Sequence, residues 1–419
     1  MRILHVLHHY FPILDGYTIR SMYILRHQRA LGLDVFVLTS AQQGRRSERC
    51  EDVEGVPVFR TPGEPASGPS GVREARNVQR LRRRLLEVVE SVRPDVIHAH
   101  SPSIVALPSL WVARSSRLPF VYEVRDLWEN ASVDRGKFTE QSPLYKVARA
   151  LDSYVLRRAD AVVTICQSLA RHLADRMPAR PAPLVVDNGV DSQVFCPGPR
   201  SSSFSARWEL DQAEVLAHIG GFQPYEGLEL LIKELPKIIS ERPTAKLLLV
   251  GGGEQEAALR TLVQRLGLGA RVVFTGRLPH DGVRDAYSAA DLMVYPRVST
   301  RTTNLTTPLK PLEAMATGKA VLLSDLPPMR ELVEPGVSGF ICRAGSAEAL
   351  AEACVAALAD RCRLSAVADA GRARVEKHRQ WSDLVARYGQ LYRDLLRTRL
   401  AAGQSRTADG IVERGAPRE

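Results

Sequence analysis

Val215-Leu216-Ala217-His218-Ile219-Gly220-Gly221, then an amphipathic stretch over Gly227–Ile239, then Ala245-Lys246-Leu247-Leu248-Leu249-Val250-Gly251-Gly252-Gly253: this run decides the fold. Two short apolar segments, each ending in glycines, flank one helical period. Runs without polar alternation belong to strands buried on both faces, which means a parallel sheet under helices. The same rhythm continues with a helix over Glu254–Leu266 and strands at Val272–Thr275 and Leu292–Tyr295. A short helix at Pro311–Thr317 and a strand at Ala320–Ser324 follow.

Upstream the pattern repeats. Strands are predicted at Arg2–Leu7, Val35–Thr39, Val96–Ala99, Phe120–Glu123 and Ala161–Thr164, with helices at Thr18–Leu31 and Arg80–Val92. The fold class is therefore α/β, with two doubly wound domains in tandem. They meet near Pro181–Pro199, a linker-like stretch rich in Pro, Gly and Asp. Residues 1–185 form the first domain and 186–379 the second. A final amphipathic helix over 380–398 follows, and residues 400–419 read as a disordered tail. Ala41–Gly71 reads as loop.

Bulk composition narrows the function classes. The chain has 419 residues, 45% of them hydrophobic, and a formal charge of +10. No apolar run approaches the roughly 18 residues of a membrane span, so a cytoplasmic location is expected. The six cysteines have no metal spacing, and no bound metal or cofactor is expected. The positive charge suits nucleic acid, anionic lipid or phosphorylated ligands. Nucleic acid has no further support, because no recognition helix, aromatic RNA-binding motif or zinc spacing accompanies the charge.

Ligands of open α/β sheets bind at the carboxyl ends of the strands. The first strand is followed by His8-His9-Tyr10 and by Asp15-Gly16-Tyr17-Thr18, where Gly16 opens a helix. That arrangement suits an anion, and equally a plain N-cap. His100 ends the third strand, at a position suited to hydrogen-bond or proton donation. Arg125 and Asp126 end the next, within Glu123-Val124-Arg125-Asp126-Leu127-Trp128-Glu129. Arg125 suits a phosphate, and Asp126 or Glu129 suits sugar hydroxyls; an internal ion pair is the plainer alternative. In the second domain Gly220 and Gly221 suit close backbone approach, without the dinucleotide fingerprint. The richest stretch runs from Tyr295-Pro296-Arg297 through Arg301 to Thr306-Thr307-Pro308-Leu309-Lys310-Pro311-Leu312-Glu313. Thr306 and Thr307 precede a helix start suited to a diphosphate. Lys310, Arg297 and Arg301 add charge, and Glu313 suits a ribose or merely the helix dipole.

Taken in order, several segments resemble family 4 of the retaining glycosyltransferases. These are Pro94-Asp95-Val96-Ile97-His98-Ala99-His100, Ala159-Asp160-Ala161, Asn188-Gly189-Val190-Asp191, Val273-Phe274-Thr275-Gly276-Arg277, Leu312-Glu313-Ala314-Met315-Ala316 and Gly336-Val337-Ser338-Gly339-Phe340. Within it, Glu123-Val124-Arg125-Asp126-Leu127-Trp128-Glu129 and Thr306-Thr307-Pro308-Leu309-Lys310-Pro311 are similar to the exosortase A-associated members of exopolysaccharide clusters.

The resemblance implies a GT-B fold, two facing Rossmann-like domains with the last helix crossing back to the first. It implies transfer from a nucleotide-sugar, with a UDP-sugar expected, to a glycan or polyprenyl-diphosphate-linked acceptor. It also implies metal independence. Gly16, Gly220, Gly221, Gly276, Arg277, Arg297, Arg301, Thr306, Thr307, Leu309, Lys310 and Glu313 become donor-side candidates, and His100, Arg125 and Asp126 catalytic ones. The chain departs from the family where Leu305 replaces the first of two glutamates. Gly221 or Phe222, and Glu226, replace the usual Arg and Lys of the diphosphate clamp; Lys310 with Arg297 or Arg301 is the expected substitute. A sugar-nucleotide epimerase or another non-transferase GT-B enzyme is the alternative. Arg73, Arg76, Arg80 and Arg82-Arg83-Arg84 on one amphipathic helix fit an anionic membrane surface, hence a peripheral place on the inner face of the plasma membrane. They fit a solvated helix face equally well.

Overall fold

The computed structural model describes residues 1–44, 49–63, 66–67 and 70–412, with the side chains of 70, 280, 281 and 402–412 excepted. The chain divides into two compact units. Unit 1 comprises Met1–Ile165, Leu169–Val186 and Ser382–Glu419; unit 2 comprises Cys166–Ser168 and Asp187–Trp381.

Unit 1 runs β1 (Arg2–Leu7), α1 (Gly16–Ala30), β2 (Asp34–Thr39), β3 (Cys50–Val53), β4 (Val56–Arg60), α2 (Ser70–Val92), β5 (Val96–His100) and α3 (Ser103–Ser115). It continues with β6 (Phe120–Val124), α4 (Trp128–Asp134), α5 (Pro143–Arg158), β7 (Ala161–Thr164), α6 (Gln167–Ala174, of unit 1 from Leu169 on) and β8 (Leu184–Val185). The strand order is β3-β4-β2-β1-β5-β6-β7-β8. All pairs are parallel except β3 with β4.

The β3–β4 pair is a correction to the loop expected over Ala41–Gly71. Glu54 and Gly55, both at positive φ, close it as a tight turn, which leaves only short flanks for strand pairing. Residues 45–48, 64–65 and 68–69 of that stretch lie outside the described residues.

Unit 2 runs α7 (Ser202–Arg207), β9 (Glu214–Gly221), α8 (Leu228–Glu241), β10 (Ala245–Gly252), α9 (Glu256–Arg265), β11 (Val272–Gly276), α10 (His280–Ala289) and β12 (Leu292–Tyr295). Then come α11 (Lys310–Ala316), β13 (Ala320–Ser324), α12 (Pro327–Arg330), β14 (Phe340–Cys342), α13 (Ala347–Ala359) and α14 (Arg361–His378). Its sheet is fully parallel, in the order β11-β10-β9-β12-β13-β14. Both faces are buried. Leu247 and Leu249 of β10 join one core with Leu231, Ile232 and Leu235 of α8. Leu248 and Val250 join the opposite core with Met293, Leu312 and Met315. Period-two alternation between two apolar cores explains why these strands read as unbroken apolar runs.

Helix α15 (Trp381–Val412) ends the described chain, and from Ser382 it belongs to unit 1. It continues into the stretch read as a tail. No proline interrupts Trp381–Val412, so the backbone ladder meets no block. Residues 413–419 lie outside the described residues. Among the described residues, no helix is long and apolar enough to cross a membrane.

Candidate active site

In unit 1 the strand tips converge on one buried carboxylate. Glu123, near the end of β6, is fully buried. Its Oε1 accepts from Arg20 Nε at 3.0 Å and Arg125 Nε at 2.9 Å. Its Oε2 accepts from the Tyr388 hydroxyl of α15 at 2.5 Å. Burial opposes ionisation, yet the Arg125 and Arg20 guanidiniums hold the carboxyl well below the usual range.

Arg125 spends its remaining donors locally. It bonds the Tyr17 carbonyl and Ser21 Oγ, each at 2.8 Å, and His100 Nδ1 at 2.8 Å, and its guanidinium lies 4.5 Å from the Tyr17 ring centre. It is therefore a positioning residue in this structure. His100, expected at an open strand tip, is 1% exposed. Burial first, then the Arg125 charge, keeps its imidazole neutral.

His5, His98 and His100 form a compact triad whose ring nitrogens lie within 4.8 Å of one another, the one set of metal-ligand type among the described residues. The donor set does not suit a cation. Arg125 can only donate, so His100 Nδ1 accepts and its proton sits on Nε2. That N–H meets His5 Nδ1 at 2.9 Å, and His5 Nε2 in turn meets Gln28 Oε1 at 2.8 Å. Gln28 Nε2 donates to the Tyr392 hydroxyl at 3.0 Å, and that hydroxyl lies 2.7 Å from His98 Nδ1. Two of the nitrogens a metal needs, His100 Nε2 and His5 Nδ1, thus share an N–H···N bond, His98 Nδ1 is held by a tyrosine hydroxyl, and the Arg125 guanidinium bonds the ring of His100.

The exposed part of this edge lies elsewhere. Asp126 is exposed and accepts from Ser101 Oγ at 3.3 Å. Gly16, also exposed, is the first residue of α1, which Asp15 caps by accepting from Thr18 N at 2.9 Å. The other oxygen of Asp15 accepts from His9 Nε2 at 2.8 Å, and His9 Nδ1 lies 3.1 Å from His8 Nδ1. The site candidates drawn from the sequence leave out His8, His9, Asp15 and Glu123; a doubled histidine directly after a strand was the available signal.

In unit 2 glycines shape the corresponding edge. Gly251 has φ +131, and a Cβ there would sit 1.9 Å from the Gly220 carbonyl oxygen. The turns after β9 and β10 thus meet backbone to backbone. Gly220 is half-buried and Gly221 exposed. Gly276 takes a left-handed φ of +71, followed by exposed Arg277. Glu226, where a lysine was expected, forms a buried bidentate pair with Arg297, at 3.0 and 2.6 Å. Burial is outweighed by the Arg297 charge, so the Glu226 carboxyl is lowered.

Lys310 Nζ reaches Glu313 Oε2 at 2.8 Å, and the buried Tyr287 hydroxyl donates to the same oxygen at 3.0 Å. The Lys310 side chain is 33% exposed, against 7% for Glu313, so the ammonium is the accessible end. Thr307 is buried, with both its carbonyl and hydroxyl accepting from Asn188 Nδ2. Thr306 bonds back to the Thr302 carbonyl at 2.9 Å. Arg301 and Leu309 are half-buried. Among the donor-side candidates, Lys310, Glu313 and Leu309 fall together at the start of α11, whereas Arg297 is committed to Glu226.

Comparison with known proteins follows the same division. A model described as "Glycosyl transferase 4-like domain" matches residues 15–189, and one described as "Glycosyl transferases group 1" matches residues 213–360. The chain is 25% identical over 388 residues to the sulfoquinovosyl transferase SQD2 of Arabidopsis thaliana, covering 88% of this chain and 68% of the relative. It is similar in fold to the sucrose-phosphate synthase of Thermosynechococcus elongatus, with TM-score 0.77, 21% identity and coverage of 95% and 99%. Anabaena Alr3699/HepE in complex with UDP matches with TM-score 0.73, 19% identity and coverage of 94% and 100%.

Proposed function

We propose, taking as premise that the chain is a glycosyltransferase of the family 4 type with a GT-B fold, that it moves a sugar from a UDP-sugar to a hydroxyl of a glycan or polyprenyl-diphosphate-linked acceptor. Assembly of a bacterial exopolysaccharide or other surface glycan is the setting we infer, and the basic residues of α2 would hold the enzyme to anionic lipid at the inner face of the membrane. The likeness to a protein solved with UDP supports the choice of base.

The observation that carries the donor reading is the Lys310–Glu313–Tyr287 group. Glu313 is buried and held from one side by Tyr287, so its carboxylate is pre-placed for a sugar or ribose hydroxyl. Lys310 is the partly exposed cation, able to turn from Glu313 to a phosphate oxygen. Arg297 then has a different task. It neutralises Glu226, whose bare carboxylate would repel a diphosphate. Transfer would break the bond between the anomeric carbon and the phosphate oxygen, with Lys310 stabilising charge on the departing diphosphate. No bound metal is invoked.

Thermal shift with UDP, GDP, ADP and dTDP, in the presence and absence of EDTA, tests this. A ligand that binds only the folded state raises its stability by linkage. UDP is expected to raise Tm with and without EDTA, and Lys310→Ala to weaken UDP about 10- to 100-fold, as for a charged hydrogen bond of about 1.5–3 kcal/mol. Undiminished UDP affinity in Lys310→Ala would remove the assignment of that residue.

A further inference from the structure

We propose that α5, with Trp111 of α3, is the face by which unit 1 docks on an anionic lipid surface, its apolar stripe entering the bilayer and its cations meeting the headgroups. This rests on the membrane setting inferred above and not on the donor reading, and it moves the contact from α2 to α5.

Helix α2 offers charge alone. Its apolar positions Leu81, Leu85 and Val88 are buried in the core. Arg84 is committed to the carbonyls of Arg60 and Arg49 and to Glu87, and Arg73 to Glu74. Glu87 and Glu90 stand exposed on the same helix. A helix whose apolar side is already buried can attract lipid but has nothing to insert.

Helix α5 is built the other way. Leu144 is 39% exposed and Val147 63%, and Leu151 and Tyr154 are half-buried. The spacing 144, 147, 151, 154 puts the four on one side of a helix. Tyr145, Val155 and Leu156, on the other side, are buried, so the stripe faces away from the core. Lys146, Arg149, Arg157 and Arg158 are exposed. Asp152 is the only carboxylate in α5. It is buried, accepts from the Tyr122 hydroxyl at 2.7 Å and lies 3.2 Å from Arg176, so it offsets none of the exposed cations. The Arg158 guanidinium lies 3.9 Å from the Tyr154 ring centre, a cation carried on the aromatic end of the stripe.

Helix α3 packs against α5 and extends the face. Trp111 is 39% exposed, and the exposed Arg114 donates to the Arg158 carbonyl at 2.6 Å. Tryptophan beside arginine suits the headgroup layer, where an amphipathic ring has both media at hand. Asp160, beside them, accepts from Phe120 N at 2.8 Å.

Charge selects the occupant. A second copy of the chain on this face would bring like charges together. Nucleic acid would meet aliphatic side chains where its phosphates need donors. A bilayer with anionic headgroups takes both parts, burying the apolar stripe and matching the cations. The position fits a lipid-carried acceptor. Strands β6 and β7 pair in parallel, so α5 returns from the carboxyl end of one toward the amino end of the other. Leu144 and Val147, in its first turns, therefore lie toward the carboxyl edge of the sheet, where ligands of such folds bind.

Flotation of the full chain with vesicles of phosphatidylcholine, with and without phosphatidylglycerol, tests the face. The wild type is expected to float with the anionic vesicles, and added salt to weaken this without abolishing it. Val147→Asp should weaken partitioning at least about tenfold, the scale of one lost aliphatic burial. Val147→Ser repeats the test with a milder change, and an unchanged Tm confirms the fold of each variant. Lys146→Gln with Arg149→Gln should weaken binding to the anionic vesicles, and Arg76→Gln with Arg83→Gln on α2 should weaken it less. Hydrogen exchange over Pro143–Arg158 should slow when vesicles are added. Absence of wild-type flotation, full flotation of both Val147 variants, or slowed exchange confined to α2 overturns the proposal. Dimerisation that Val147→Asp abolishes would give the face to a second copy, and salt-sensitive oligonucleotide binding lost in Lys146→Gln with Arg149→Gln would give it to nucleic acid; either overturns it. The UDP thermal shift needs no lipid, so its failure removes the donor reading and leaves the docking face standing.

Discussion

Each unit holds a buried glutamate paired with arginine near the end of a strand, and the two are built for different work. Glu123 in unit 1 is closed in by Arg20 of α1, Arg125 just past β6 and Tyr388 of α15, all three of them buried. Glu226 in unit 2 has Arg297 at bonding distance, in a neutral pair beside glycine turns and a partly exposed lysine. A sheet edge saturated with internal partners is a structural joint. One that leaves a cation reachable and its backbone bare suits an anionic ligand. Charged residues at strand tips are thus not evidence of a site until their partners are counted.

Acidification should separate the two units most strongly. In unit 1, burial lowers His5 to about 3 and His8 to about 4, and also lowers His98, His100 and His172; in unit 2 it lowers His218. Such a histidine is neutral when folded and takes a proton near 6.5 when unfolded. Its contribution is present above about pH 6.5 and is lost as pH falls toward the folded value. Glu123 acts in the same sense lower down, losing its contribution below an unfolded value of about 4.3. Between pH 6.5 and 4, hydrogen exchange in β1, β5 and β6 is expected to accelerate well before exchange in β9 and β12. Parallel loss in both sheets would break the contrast.

Substitution should show the same asymmetry at smaller scale. Glu123→Gln leaves two buried guanidiniums without a counter-charge, a cost of about 3–5 kcal/mol. Glu226→Gln leaves one, at a site beside a more open surface, and a smaller loss is expected, together with a change in UDP affinity that Glu123→Gln should not show. Calorimetry with and without UDP checks both. Equal destabilisation with no change in UDP affinity would mean that Glu226 is also only a joint.

The contrast also marks how far the sequence could be read. The parallel sheets were legible because Leu247–Val250 and its counterparts are apolar on both faces, a local property of a few consecutive residues. Arg125 was legible as a charge at a strand tip. Its meaning was not, because Tyr17, Ser21 and His100 lie far away in the chain, and the Tyr388 that completes Glu123 lies 265 residues on. Glu226 was legible as a departure, whereas its pairing with Arg297 required the turn after β9 to meet the end of β12. The His8–His9 pair carried a signal, but a doubled histidine in a loop gives no tautomer until Asp15 is placed beside it.

Tyr392→Phe sharpens the account of unit 1 with the smallest effect. The hydroxyl accepts from Gln28 Nε2 and meets His98 Nδ1, linking α15 to α1 and β5. Phenylalanine keeps the ring, which is fully buried, so little packing is lost. Two buried polar atoms lose a partner, at about 1–3 kcal/mol in total, softened if Gln28 reorients. The decisive readout is positional. If the hydroxyl is what fastens α15, exchange should rise in the turn around Tyr388 and Tyr392 and at β5, while β9–β13 stay unchanged. If exchange rises nowhere, apolar contact alone holds the helix, and the polar chain through Gln28 and His5 serves the orientation of His100 and Arg125.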